Sequence, residues 1–180
     1  IVASLCMGSK KLYEFVNNNP IFYFKSSEFV NDPNVIAKND NFISISSALE
    51  VDLTGQICTD SKGYLIYSGI GDQVDFIRGS AMSRGGFSIV IIPSTAQDGQ
   101  VSRIVPHLSE GAGVATTRGD IDIIVTEYGI AEMRRKSIYQ RVIELAQIAH
   151  PRFRKSLIEE AKKRHYIFPD QLPPTTQDLI

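Results

Sequence analysis

Phe42-Ile43-Ser44-Ile45-Ser46 alternates apolar and polar side chains with a period of two, and Leu49-Glu50-Val51-Asp52-Leu53 repeats the pattern. Successive side chains of a strand point to opposite faces, so this alternation fits half-buried strands and fits a helix badly. Further short apolar runs near Ile57 and at residues 64–67, 88–92, 113–116 and 121–126 read as strands too. The N-terminal part adds one at Ile1-Val2-Ala3-Ser4-Leu5 and one at Ile21-Phe22-Tyr23-Phe24, separated by a short helix. Ser9 can cap that helix, Leu12, Phe15 and Val16 give it one apolar face, and Asn17-Asn18-Asn19-Pro20 stops it.

After residue 136 the period changes to that of a helix. Ser137-Ile138-Tyr139-Gln140 has the S-x-x-Q capping-box pattern, and Ile138, Val142, Leu145, Ala146 and Ala149 share a face. His150-Pro151 ends this helix and starts another, with Pro151 at the first helical position and Phe153, Leu157, Ile158 and Ala161 turned inward. A chain of 180 residues, 43% of them hydrophobic, can bury one substantial core. The expectation is a single α/β domain over residues 1–165 with a helical C-terminal third. Residues 166–180 read as an extended tail. The chain opens directly on the strand-like Ile1-Val2-Ala3, which reads as a fragment of a longer polypeptide.

Gly69-Ile70-Gly71-Asp72-Gln73 lies between the run Tyr64-Leu65-Ile66-Tyr67 and the segment Val74-Asp75-Phe76-Ile77-Arg78. A strand, a glycine turn and a helix in this order bring backbone N–H groups to a helix N-terminus, where no Cβ keeps a ligand away. The turn can hold an anion or an oxyanion. Alone, it is equally a tight corner.

The formal net charge is -1, with acidic and basic side chains interspersed, so the composition gives no footprint for nucleic acid or an anionic membrane. No apolar run approaches the roughly 20 residues that span a bilayer. Cys6 and Cys58 form no ligand-spaced set and read as reduced thiols, which places the chain in the cytoplasm. His107, His150 and His165 are too dispersed for a metal site, and none is expected. Glu50 and Asp52 share one strand face as polar or hydrogen-bonding acids. Glu127 reads as a structural acid at a strand-to-helix turn, and Arg78, Arg84 and Arg103 as solvated or paired cations able to meet phosphates.

Seven runs, in order, resemble the C-terminal domain of the acetyl-CoA hydrolase/transferase family, on its 4-hydroxybutyrate, butyrate and acetate CoA-transferase branch. They are Met7 to Tyr13, Val30-Asn31-Asp32-Pro33, Val51 to Gln56, Gly69 to Arg78, Ser102 to Pro106, Val125 to Gly129 and Ala149-His150-Pro151. The resemblance implies a CoA-transferase-like fold of the NagB/RpiA/CoA-transferase type, in which two related domains face each other across a CoA site. It implies acyl-CoA and a small carboxylic acid as substrates, no permanently bound cofactor, and a homo-oligomer. The nucleophilic glutamate of the family would lie upstream of Ile1, in a missing N-terminal part of the same chain.

By the same resemblance Asn31 is an oxyanion donor, although its residue type also suits an Asx turn before Pro33. Gly71 would complete the oxyanion hole through the backbone. Gly69, Gly71, Asp72 and Gln97 would contact CoA. Asp72 departs from the usual Gly-x-Gly-Gly pattern and is expected to aim its carboxylate away while offering its N–H. Gln97 stands where relatives often carry lysine. A related acyl-CoA hydrolase, a non-catalytic ligand-binding or assembly module and a sugar-phosphate isomerase-like domain are the alternatives.

Overall fold

The computed structural model describes residues 1–168. The N-terminal part holds β1 (Val2–Ala3), α1 (Lys10–Val16), β2 (Tyr23–Phe24), α2 (Ser27–Val30) and α3 (Pro33–Ile36). Five short strands follow: β3 (Ile43–Ser47), β4 (Glu50–Asp52), β5 (Ile57–Cys58), β6 (Ser61–Lys62) and β7 (Leu65–Ile66). After α4 (Gln73–Met82) come β8 (Phe87–Ile91), β9 (Thr95–Ala96), β10 (Val101–Ser102), β11 (Ile104–Val105), β12 (Ile123–Thr126) and β13 (Gly129–Glu132). Two helices, α5 (Ile138–Ile148) and α6 (Pro151–Lys163), close the described chain.

The largest sheet has the order β13-β12-β8-β3. Strands β3, β8 and β12 run parallel, and β13 returns antiparallel to β12. A second sheet, β11-β4-β5, lies beyond the C-terminal end of β3. The architecture is α/β, as the sequence predicts.

Local signals place the helices correctly. Ser9 accepts from the Leu12 N–H, Ser137 and Gln140 form both halves of the capping box, and Pro151 sits in the first turn of α6 with His150 Nδ1 accepting from the Arg152 N–H. Val142, Leu145 and Ala146 of α5 and Leu157, Ile158 and Ala161 of α6 enter one core with Val51, Leu53, Ile77, Val90 and Ile124. The packed chain runs on through the fully buried Ile167. The rest of the expected tail, 169–180, lies outside the described residues.

The sheet's orientation inverts the simplest reading of its alternation. In β3 it is Ser44 that is buried, while Ile43 and Ile45 are 47% and 64% exposed. The register aligns Ser44 with Ser88 and Ser46 with Val90 on one face, and Ile45 with Ile89 on the other. Small side chains on the first face let α4 sit close: Gln73 Nε2 donates to Ser46 Oγ at 2.8 Å, and Ile77 is buried in the core. The opposite face carries a row of branched side chains in which Ile91 and Ile130 are also exposed.

Three further expectations change. Residues 113–116 form no strand and contribute only a bridge from Thr116 to Ile57. The run Tyr64 to Tyr67 holds the returning strand of a two-stranded hairpin with β6, and all four of its side chains are exposed. Glu127 sits in a turn between two strands, β12 and β13, where Gly129 takes φ +146°.

Candidate functional site

Parallel strands in open α/β sheets end at the edge where ligands bind, because the connecting turns and helix N-termini converge there. Here Ser46-Ser47 end β3, Ser94 follows β8, and Glu127 follows β12. The N-terminus of α4 reaches the same edge, since Gln73 Nε2 donates to Ser46 Oγ and to the Ser47 carbonyl. A groove of about 490 Å³ runs between Asp72, Gln73 and Phe76 on one side and Phe42 to Ser46 on the other.

Gly71 takes φ +72°, and a Cβ built on it would meet no atom within 4 Å, so the space over the turn is open. Asp72 is exposed and occupies the N-cap of α4, yet its side chain makes no capping hydrogen bond. The first-turn amides therefore have no side-chain acceptor and project at the groove's end with the positive end of the helix dipole. Gln73 Oε1 beside them is buried without a hydrogen-bond partner among the described residues.

Asn31 ends α2, and its backbone N–H bonds to the Ser27 carbonyl. The Asx geometry before Pro33 belongs to its neighbour: Asp32 Oδ1 accepts from the Asn34 N–H at 2.8 Å. That leaves the Asn31 side-chain oxygen buried with no partner among the described residues. A half-turn of the amide puts its NH2 group in that position instead. Among the described residues no hydrogen bond joins Asn31 to the glycine turn.

Gln97 is exposed at the tip of the β9–β10 hairpin, where Gln97, Asp98 and Gly99 take φ values of +52°, +53° and +82° in succession. Three consecutive residues in the left-handed region are costly for the two that carry a Cβ, and such loops cluster at ligand sites. Ala96, next to Gln97, and Tyr67, which precedes the glycine turn, line one cavity of about 370 Å³. Gly69, Gly71, Asp72 and Gln97 themselves are not among the residues that line it.

The acids sort by their partners. Asp52 is buried and accepts from Thr54 N and Oγ1 and from Gln56 N and Nε2, which makes it a structural acid that shapes the Thr54-Gly55 turn. Glu50 is held by the N–H and hydroxyl of Ser109, at 2.9 and 2.6 Å. Glu127 accepts from the N–H and hydroxyl of Ser94, at 2.9 and 2.5 Å. Partial burial would raise the Glu127 pKa. The Ser94 bonds, its own backbone N–H and the nearby His150 charge overcome that and hold it below the ordinary glutamate value.

The arginines separate as well. Arg78 forms a two-pronged ion pair with Asp120, and the hydrogen bond and charge of that partner raise the pKa of Arg78 and lower that of Asp120. Arg84 pairs with Asp40. Arg103 has no ion pair among the described residues. Arg141 escaped the sequence reading: it is 9% exposed and donates to the carbonyls of Thr54, Arg118 and Lys136. Burial, and then the charge of Arg118, lower its pKa.

Among the described residues no group of three or more His, Cys, Asp or Glu is placed to hold a metal ion. No described helix is long and apolar enough to cross a membrane.

Against known proteins, residues 8–161 match the model of the acetyl-CoA hydrolase/transferase C-terminal domain. The chain is 54% identical over 164 residues to 4-hydroxybutyrate coenzyme A transferase of Clostridium kluyveri, covering 91% of this chain and 38% of that protein. It is 46% identical to butyryl-CoA:acetate CoA-transferase of Anaerostipes caccae, covering 87% and 36%. Among solved structures, RipA from Yersinia pestis superposes with a TM-score of 0.87 at 41% identity, over 92% of this chain and 37% of that one. The chain thus spans well under half the length of the relatives it matches. Its family model, its sequence relatives and its fold agree, and the chain belongs to the acetyl-CoA hydrolase/transferase family, as that family's C-terminal domain.

Proposed function

We infer that this chain is the C-terminal part of an acyl-CoA:carboxylate CoA-transferase of the 4-hydroxybutyrate, butyrate or acetate type, supplying oxyanion donors and part of the CoA site. The observation that carries this reading is the uncapped N-terminus of α4 behind an open glycine turn, at the edge where the parallel strands end. Backbone donors fixed in that way stabilise a developing negative charge without having to reorganise.

In the reaction a glutamate from the part of the protein preceding this domain attacks the acyl-CoA thioester carbonyl. The C–S bond breaks, and CoA thiolate leaves a mixed acyl-glutamyl anhydride. Thiolate then attacks the glutamyl carbonyl, releasing the first carboxylate and forming a glutamyl-CoA thioester. The second carboxylate reverses these steps and leaves as the new acyl-CoA. The net reaction trades one thioester for another of similar energy, so neither ATP nor metal is required. The Gly71 and Asp72 amides and the Asn31 side chain would share the oxyanion, with Gly69 and Gln97 against CoA. The preceding part of the protein would cover the exposed isoleucine face. A homo-oligomer in the cytoplasm belongs to the same reading.

A protein carrying this sequence together with the preceding part found in its relatives should exchange CoA between butyryl-CoA and labelled acetate, and the 180-residue chain alone should not. No exchange by the longer protein would overturn the transferase reading. If it instead releases free CoA at the same rate with and without acetate, water resolves the glutamyl thioester and the protein is a hydrolase. That alternative has some support, since acetyl-CoA hydrolase of Candida albicans is 27% identical over 84% of the chain.

A further inference from the structure

The cavity of about 370 Å³ between the β6–β7 and β9–β10 hairpins falls at the lower end of the size range of small-molecule sites, roughly 300–1,000 Å³. Arg103, at the junction of β10 and β11, is one of its lining residues. This guanidinium is half-buried, and its Nε is enclosed by protein with no hydrogen-bond partner among the described residues. One donor, Nη1, reaches the Ala48 carbonyl at 3.5 Å, the long limit for such a bond. Arg78 and Arg84 each have a carboxylate, and Arg103 has none among the described residues. A half-buried guanidinium with no carboxylate partner among the described residues suits an anionic ligand in the cavity that it lines.

The other walls narrow the chemistry of that ligand. Leu49, Tyr67 and Val101 give the cavity apolar surface, which suits a hydrocarbon chain. Lys62 adds a second cation at the rim, and Glu50 lines the cavity as a carboxylate held by Ser109. Two positive groups and one negative leave a local charge of one. That balance matches a monoanion, whereas a phosphate, carrying about -1.5 to -2 near neutral pH, would meet Glu50 with surplus charge. The cavity also belongs to the strand-end network. The Arg103 N–H donates to the Ser94 carbonyl at 2.9 Å, and Ser94 donates to Glu127. Ala48, which receives Arg103 Nη1, follows directly on Ser47, which receives Gln73.

The geometry points to this cavity as a binding site for a small aliphatic monocarboxylate, with its carboxylate on Arg103 and its chain against Leu49, Tyr67 and Val101. The assignment deepens the transferase reading and rests on it for the choice of acid, because a carboxylic acid is that reaction's second substrate. Binding itself is independent of CoA.

The test titrates butyrate into the protein carrying this sequence, without CoA, followed by calorimetry and by ligand-observed NMR. Butyrate should bind, and butyramide, of the same shape without the charge, should not. Arg103→Gln removes a charge-assisted contact and should weaken butyrate about 10- to 100-fold. Val101→Phe fills the cavity from its half-exposed rim, leaves every charge in place, and should abolish binding while circular dichroism stays native. Unchanged butyrate affinity in both variants overturns the site. Inorganic phosphate binding more tightly than butyrate overturns the monocarboxylate assignment.

Steady-state kinetics separate the two sources of the acid. If the pocket serves the acceptor substrate, Arg103→Gln raises KM for butyrate and leaves KM for acyl-CoA alone. If it serves a regulatory acid, KM is unchanged and stimulation by added butyrate is lost. Either pattern supports the site. Arg103-dependent butyrate binding without any CoA exchange would retain this site and sink the transferase reading, whereas exchange with no effect of either variant would do the reverse.

Discussion

Ser94 donates both its backbone N–H and its hydroxyl to Glu127, so a residue at the end of β8 holds the carboxylate at the end of β12. A carboxyl whose folded pKa is depressed stabilises the fold above its unfolded pKa, and that contribution is lost as pH falls through the folded value. Glu127 is exposed, so solvent screens the effect and little of the acid unfolding curve should depend on it. The titration itself is the sensitive measure. Side-chain carbon NMR should place the Glu127 midpoint below the ordinary glutamate range, and Ser94→Ala should move it upward. An unshifted midpoint in the variant would show that Ser94 does not set this charge.

Asn31→Ala should lower turnover while leaving stability almost unchanged. The side chain's oxygen makes no hydrogen bond, and the Asx geometry is carried by Asp32, so truncation removes no described contact. Removing one oxyanion donor costs on the order of 10²- to 10³-fold in kcat. Asp32→Ala is the control: it should cost about 1 kcal/mol through loss of the α3 cap with a smaller effect on chemistry. If instead the Asn31 variant melts early with normal turnover, its role is structural.

The glycine turn makes an opposed pair of predictions. At Gly71 the backbone is left-handed, so Gly71→Val strains the turn and also fills the open space above it. CoA-dependent chemistry should be lost. Asp72 contributes no capping bond and faces solvent, so Asp72→Gly should leave activity intact within a small loss from added loop freedom. Mass spectrometry of a hydroxylamine-trapped acyl adduct checks the assignment, because a modified Asp72 would make it the nucleophile.

Arg141 and Gly55 test a contact that spans the chain. The Gly55 backbone has φ +92°, and a Cβ there would lie 3.0 Å from Arg141 Nη1. Gly55→Ala therefore meets both a left-handed strain of roughly 1–2 kcal/mol and the guanidinium itself. Arg141→Met should be at least as costly, because it leaves the Thr54 carbonyl buried without its donor. Chemical denaturation of both variants measures this; losses under about 0.5 kcal/mol would mean that the contact carries no stability.

What was legible in the sequence was local. The caps of α1 and α5 and the Pro151 corner depend on side chains within a few residues of one another, and each forms as read. The buried face of the main sheet depends on what packs against it. Alternation in Phe42 to Ser46 defines two faces, and only the approach of α4 over Ser44 and Ser88 decides that the isoleucines turn outward. The same limit separates the arginines. Asp120 and Asp40, which neutralise Arg78 and Arg84, lie 42 and 44 residues away in sequence, so nothing local distinguishes those two from the unpaired Arg103. Arg141 was missed for the same reason: its acceptors at Thr54 and Arg118 are remote in the chain.

The outward isoleucines supply the last prediction. Ile43, Ile45, Ile91 and Ile130 are between 47% and 66% exposed on one sheet face, and apolar side chains grouped in this way mark a surface that a partner or a further part of the protein can cover. In the 180-residue chain by itself, Ile45→Thr with Ile130→Thr should reduce self-association measured by sedimentation. Both residues keep a β-branched side chain and lose little burial, so the unfolding free energy should stay within about 0.5 kcal/mol. In the longer protein the same pair should be destabilising by several times that amount, because the face would then be covered and each threonine would bring a hydroxyl into an apolar contact. Equal, negligible effects in both proteins would mean that this face stays open, and the preceding part of the protein would have to dock elsewhere.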